Sequence, residues 1–333
     1  MMTITKRTLL FFLLCFSLSL QAEDFNQVEE KKFIDEMVIE HDFDRRVLEK
    51  IFKKAKLQKK ILEAISRPAE KSKPWYEYRQ IFVTPDRIKK GAEFWKKHRN
   101  QLIEVEKQYG VPRQIIVAII GVETYYGKHK GKYRVIDALA TLAFNYPKRA
   151  IFFRNELKQF LLFTRELKID PLSLMGSYAG AMGMPQFMPS SFQAYAVDFN
   201  KDGRINIWDN EPDIFASIAN YFKHHGWQTG EPVAVPTWIK EGANVDRFVK
   251  KGIKPSIPLS DLINAGVEPK RKIDGNPLAS LLVYQQKNGE DYWVAFQNFY
   301  TITRYNHSPL YGMAVYQLSE AVREAYLNDA LLK

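Results

Sequence analysis

Residues 113–127 read Arg113-Gln114-Ile115-Ile116-Val117-Ala118-Ile119-Ile120-Gly121-Val122-Glu123-Thr124-Tyr125-Tyr126-Gly127. Gly110 closes the segment before them, and Pro112 suits the first turn of a new helix. The run from Ile115 to Ile120 leaves almost no polar side, so the pattern predicts a buried helix from Arg113 to about Tyr125. Glu123 stands at its far end. A carboxylate is costly to bury when ionised, so an enclosed Glu123 would titrate above the ordinary value of about 4.3. A carboxyl group raised in this way is a general acid near neutral pH. A second reading has Glu123 emerging at the surface where the helix ends, or pairing with Arg149. Tyr125, Tyr126 and Gly127 shift the balance toward the first, since aromatic rings around a lone carboxylate suit a carbohydrate cleft.

Upstream, residues 25–66 carry apolar positions such as Phe33, Met37, Phe43, Val47 and Ile51 among charges, which reads as short helices packed by one face. A loop signal from Arg67-Pro68 to Trp75-Tyr76 separates them from a second helical stretch, Arg87 to Tyr109. Downstream, helices are expected at Ile151–Leu167, Asp213–His225 and Pro309–Leu327. Between Gly230 and Thr303, Gly and Pro recur and β-prone runs occur at Val233–Trp238, Leu281–Tyr284, Tyr292–Phe296 and Phe299–Ile302. The fold class is therefore α+β and mainly helical. The chain of 333 residues divides into a leader at 1–22, a helical region at 23–110, a core at 111–229, a small β-rich unit at 230–303 and a C-terminal helix at 304–333 that packs back on the helical region.

The net charge of +11 indicates an anionic partner without choosing one. The leader narrows the choice. Lys6 and Arg7 precede an apolar run from Leu9 to Leu20 that ends at Gln21-Ala22, as in a secretory signal; an uncleaved anchor is the other reading. Cleavage after Ala22 removes Lys6 and Arg7 and no acidic residue, so +11 becomes +9. It also removes Cys15, the one cysteine. An exported, thiol-free chain excludes thiol catalysis and disulfides, and makes nucleic acid an unsuitable partner. Leu13-Leu14 before Cys15 do not resemble a lipid-attachment site. No HExxH, GxSxG or GxxxxGK[ST] pattern occurs.

Two loops complete the candidate chemistry. Gly180-Ala181-Met182-Gly183-Met184-Pro185-Gln186-Phe187 sets an amide among small and turn-forming residues, either to approach a ligand or to make a tight turn. Asp198-Phe199-Asn200-Lys201-Asp202-Gly203-Arg204 places oxygens at positions one, three and five, Gly at six and the Arg204 carbonyl at seven of an EF-hand calcium loop. Position twelve is Asp209 where Glu is usual, so Asp209 or Asp213 would close the site. The alternative is an Asx-rich turn without metal. A single loop of this kind suits a structural clamp.

Together these residues resemble the lytic murein transglycosylase B family. The resemblance runs through Tyr76-Glu77-Tyr78-Arg79, Tyr109-Gly110-Val111-Pro112, Gly121-Val122-Glu123-Thr124, Asp137–Leu142 and Asn145-Tyr146-Pro147 to Tyr300–Asn306. Pro185 departs from it, standing where Gly more often precedes the Gln. It implies a lysozyme-like core, one structural Ca2+ at 198–213 and no organic cofactor. It also implies cleavage of the β-1,4 bond between N-acetylmuramic acid and N-acetylglucosamine to leave 1,6-anhydro ends. Glu123 would be the one catalytic group, and Tyr78, Arg149, Ser177, Gln186, Tyr221 and Tyr305 would lie in the glycan cleft. The metal ligands would be Asp198, Asn200, Asp202, Arg204, Asp209 and Asp213. Peptidoglycan strands, and other wall enzymes, are the partners it implies, in the periplasm and with no need of membrane association. Two rivals stay open: a hydrolytic muramidase with Asp137 or Asp170 as second carboxylate, and a non-catalytic, calcium-stabilised wall-binding protein.

Overall fold

The computed structural model describes residues 24–66 and 73–331; the leader and its cleavage point lie outside them. Three short helices open the chain, α1 (Gln27–His41), α2 (Arg45–Lys54) and α3 (Lys59–Ser66). Asn26 and Asp44 cap the first two by accepting backbone N–H groups with their side chains. Next come α4 (Trp75–Phe82), α5 (Pro85–Lys97), α6 (Arg99–Tyr109) and α7 (Arg113–Thr124). The segment read as one helix from Arg87 to Tyr109 is thus two, broken at His98, while Trp75 and Tyr76 are helical and not loop. Beyond α7 lie β1 (Tyr133–Arg134), α8 (Val135–Asn145), α9 (Ala150–Glu166), β2 (Met175–Gly176), α10 (Pro189–Tyr195) and α11 (Glu211–His224).

Six residues of the run Ile115–Ile120 are all buried, as are Val135–Phe144 of α8, so α7 and α8 are the centre of the helical body. The polar residues Asp137 and Thr141 of α8 are themselves buried as acceptors for the Lys56 and Gln58 N–H groups, so no solvent-facing side marks its period. α9 lies against α8, α11 against α6, and the long α15 (Pro309–Leu331) packs along α7, α5 and α4. The apolar core is continuous from Phe25 to Val322.

A five-stranded antiparallel sheet stands beside this body: β3 (Ala234–Ile239), β4 (Ile257–Pro258), β5 (Val267–Pro269), β6 (Leu278–Gln286) and β7 (Gly289–Ala295), in the order β4-β6-β7-β3-β5. One face covers a small separate core with α12 (Asp246–Val249) and α13 (Leu259–Asn264), including Val235, Leu262, Leu281 and Val294. The other face meets the helices through Ala234, Leu282 and Tyr284. Phe299–Ile302, read as a strand, belongs instead to helix α14 (Gln297–Tyr305). Its Phe299, Thr301 and Ile302 are buried on contacts with distant segments, and tertiary packing overrides the β propensity of such a short run. Among the described residues no helix is long and apolar enough to cross a membrane.

Asp137, on α8, is buried and holds the N-terminal helices in place. It accepts two bonds from Arg134, at 2.8 and 2.9 Å, and one from the Lys56 backbone N–H at 3.0 Å. Removing one partner of such a pair leaves a buried charge unmet, at a cost of about 3 kcal/mol or more. Arg134→Ala, which leaves the buried Asp137 carboxylate without its cation, should therefore lower stability by about that amount in urea unfolding at neutral pH, and an unchanged midpoint would refute the role.

Candidate active site

Glu123 sits in the last turn of α7, where the helix ends because Tyr125 and Tyr126 both take left-handed backbone angles. Neither ring turns toward the carboxylate. Tyr125 bonds Asp86 and lies under the cations of Arg87 and Lys90, and the Tyr126 hydroxyl donates to the Arg87 carbonyl at 2.8 Å. These tyrosines anchor α7 on α5, which corrects the reading that they line the cleft. Arg149 is not its partner either: it is exposed after α8, with its guanidinium over Phe152 and Phe153.

The groups around Glu123 come from three other helices. Tyr311, in the first turn of α15, donates its hydroxyl to Glu123 Oε1 at 2.6 Å. Tyr305 of α14 and Tyr78 of α4 are close enough for the Glu123 charge to push their phenols upward, after the larger effect of burial. Burial likewise raises Glu123, to about 7, against the opposing pull of the Tyr311 bond. Its residue surface stays partly open, so the carboxyl is enclosed by phenols yet reachable. Among the described residues no second carboxylate acts on it. Asp137 is taken by Arg134 and Lys56, and Asp170 is exposed and accepts the Leu172 N–H.

Tyr311 was missed in the sequence because nothing near it in the chain signals chemistry. Its neighbour Gly312 is the visible trace. A Cβ there would stand 2.9 Å from Thr303 and 3.0 Å from Phe299, so only glycine lets α15 approach α14 this closely. The sheet adds two more ties to α15: Tyr284 donates to the Pro309 carbonyl and Tyr316 to that of Ala234, each at 3.0 Å.

The Gln186 loop closes one wall. Tyr305 donates to the Pro185 carbonyl at 2.6 Å, and Thr124, next to Glu123, donates to that of Met184 at 3.2 Å. Gln186 has a left-handed backbone and spends its amide on the Gly183 carbonyl at 2.9 Å. Ser177 closes a turn with Ala181 through its N–H and hydroxyl oxygen. Tyr221 is buried: it donates to the Arg304 carbonyl at 2.6 Å and packs on Tyr305, so it supports the cleft from behind.

The candidate calcium loop is joined to this wall. The Met184 N–H donates to the Ile207 carbonyl at 2.9 Å, and Gly183, at φ +67°, passes so near that a Cβ would lie 2.4 Å from the same oxygen. Asp198 accepts the N–H groups of Asp202 and Gly203, and Asp202 accepts that of Arg204, which turns the loop around its own carboxylates. Asp213 is buried and accepts from Phe199 and Asn206 at 2.9 Å each. The nearby charge of Asp198 adds to the burial that raises Asp213. Asp209 points away, exposed and paired with Lys130 at 2.6 Å. The donor set of Asp198, Asn200, Asp202 and Asp213 fits a hard cation, although no three of the carboxylates close to within 4.8 Å of one another. Glu36, Glu40 and His41 do close to that distance, but Glu36 is already paired with Lys158.

Comparison with known proteins places the chain in a family. The model of the transglycosylase SLT domain matches residues 26–320. The chain is 46% identical over 306 residues to the membrane-bound lytic murein transglycosylase B of Escherichia coli (strain K12), covering 89% of this chain and 83% of that protein. The structure resembles the lytic transglycosylase SltB1 of Pseudomonas aeruginosa, with a TM-score of 0.85 at 49% identity over 90% and 98% of the two chains. It also resembles the E. coli lytic transglycosylase Slt35 in complex with calcium, with a TM-score of 0.81 at 44% identity over 90% and 94%. SltB3 of P. aeruginosa, solved with NAG-anhNAM-pentapeptide, gives a TM-score of 0.81 at 29% identity over 90% and 80%. With one phenol-enclosed glutamate at the end of an apolar helix, this chain belongs to the lytic murein transglycosylase B family.

Proposed function

We propose that Glu123 alone carries the acid and base steps by which this lytic murein transglycosylase cuts peptidoglycan between N-acetylmuramic acid and N-acetylglucosamine. The observation that carries this reading is a solitary carboxyl group raised to about 7 and held by Tyr311. Protonated, Glu123 donates to the glycosidic oxygen as the C1–O bond breaks. The resulting carboxylate takes the proton of the muramoyl 6-hydroxyl as that oxygen bonds to C1, which leaves a 1,6-anhydro end and restores the acid. Glycosidases that hydrolyse their substrate usually place a second carboxylate ~5–5.5 or ~6.5–9.5 Å away. Asp137 is bound by Arg134 and Lys56, Asp170 is exposed, and among the described residues no carboxylate acts on Glu123, which disfavours the hydrolytic reading.

Tyr311 occupies Oε1 and leaves Oε2 for the substrate. Tyr78 offers a ring face and a hydroxyl to sugars, Tyr305 lines the cleft with its hydroxyl held by the Pro185 carbonyl, Gln186 and Ser177 shape the wall, Tyr221 supports Tyr305, and exposed Arg149 suits a carboxylate farther along the strand. Binding of peptidoglycan fragments, named for the SltB3 structure, is proposed here for the same cleft. One Ca2+, by analogy with the Slt35 complex, is assigned to Asp198, Asn200, Asp202, the Arg204 carbonyl and Asp213, with Asp209 outside the set. It would clamp the loop whose Ile207 steadies Met184. We place the enzyme in the periplasm, where its substrate lies.

Mass spectrometry of digested sacculi should show anhydro ends; reducing ends in their place would establish hydrolysis. Glu123→Gln should cut turnover by about a thousandfold or more while retaining glycan binding, and undiminished cleavage would remove Glu123 from the mechanism. Because the acid form must start the reaction, kcat/KM should fall as pH rises through about 7. Tyr311→Phe removes the bond that favours the carboxylate, so this limb should move to higher pH, and a limb that stays or moves down would contradict the assignment. Chelation should lower the melting temperature of the full chain, and no shift would leave the loop without a metal role.

A further inference from the structure

We propose that a basic groove on the far side of α8 is a second peptidoglycan surface, which takes the stem peptides through their carboxylates. This inference rests on the function proposed above and extends it to a site away from the cleft. The segment from Lys50 to Lys60 holds six lysines against no acidic residue. Lys53, Lys54, Lys56 and Lys60 are exposed and line a groove of about 1280 Å3 with an apolar floor that includes Phe52 and Leu57. Among the described residues, none of these four lysines is ion-paired. Cations outnumber the carboxylates of Asp24, Glu30 and Glu49 in the lining, and an excess of positive charge in a concave surface focuses a field that draws anions to it.

The groove is placed to act on the same strand as the cleft. Leu139 of α8 packs against Gly180 of the cleft wall, while Asp137, two residues earlier and so on the opposite side of the helix, bonds Lys56 of the groove. β1 joins the two around the end of α8. Its Arg134 donates to the Lys54 carbonyl, and its backbone pairs with Met175 of β2, whose neighbour Gly176 bridges to Met182 of the wall.

The shape and lining select a peptide over a lipid surface. A flat bilayer would leave the hollow unfilled and would bring Asp24, Glu30 and Glu49, which share the lining, against its own negative charge. A stem peptide offers several carboxylates together with a free amine, and so can answer both signs. Its extended backbone fits a groove, and its aliphatic side chains can meet Phe52 and Leu57.

The test uses the full chain carrying Glu123→Gln, so that binding is read without turnover. Lys53, Lys54, Lys56 and Lys60 are replaced together by Gln, and cosedimentation with isolated sacculi is measured at low and high salt. The variant should bind about tenfold more weakly at low salt, with the difference fading at high salt as screening grows. Sacculi whose carboxyl groups have been converted to neutral amides should bind both chains equally. Equal binding to untreated sacculi would overturn the proposal, as would a deficit that persists on amidated sacculi. Vesicles of phosphatidylglycerol that capture the parent and not the variant, with sacculus binding unchanged, would assign the groove to membrane. If the fourfold variant melts early, the Lys53→Gln/Lys60→Gln pair serves, with a threefold loss expected and none overturning the assignment. Cleavage of sacculi by the chain with Glu123 intact is scored separately, so failure of the enzymatic reading would not be mistaken for failure of the groove.

Discussion

The hydrogen bond from Tyr311 to Glu123 is the contact to which the rest of the architecture answers. Burial alone would leave the glutamate protonated too firmly to act as a base in the second half of the proposed reaction. A full charge partner such as Arg would leave it ionised and useless as an acid. A neutral phenol lies between these extremes, because it donates to the carboxylate without adding a charge. Holding that phenol at 2.6 Å requires α15 to cross the end of α7, and the crossing needs Gly312 against α14 and the sheet ties at Pro309 and Ala234. The small β unit thus helps to position Tyr311 against Glu123.

The cleft wall depends on a second chain of contacts. Its loop is caught between Thr124 on α7, Tyr305 on α14 and Ile207 in the Asp-rich loop. Three separate elements fix one turn, and Met182, Met184 and Phe187 of the same loop are buried in the main apolar core, which keeps it in a single shape. The Asp-rich loop is in turn tied to the body through buried Asp213, whose two oxygens reach back to Phe199 and Asn206. Rigidity at the wall is therefore assembled from backbone carbonyls and carboxylates together with the packing of buried Met182, Phe187 and Ile207.

Much of this was legible in the residues. The unbroken apolar run of α7 forced a buried helix and exposed Glu123 as an anomaly, and the oxygen spacing from Asp198 to Asp202 marked the loop. Local pattern failed where long-range packing decided the outcome. Residues 299–302 have strand composition yet form a helix, because Phe299 and Ile302 are buried on one side against neighbours that local sequence cannot reveal. Tyr125 and Tyr126 were assigned to the cleft by adjacency. A left-handed turn sends both rings the other way, and the phenols that matter lie 45 residues before and nearly 190 after the glutamate. A one-dimensional reading finds the residue under stress more readily than the residues that cause it.

Glu123 and Tyr311 stand 188 positions apart in the chain, yet their side chains share one proton-bearing contact. The raised acidity of Glu123 comes from burial among helices drawn from distant parts of the sequence, so it is a tertiary property that no short segment around residue 123 would show.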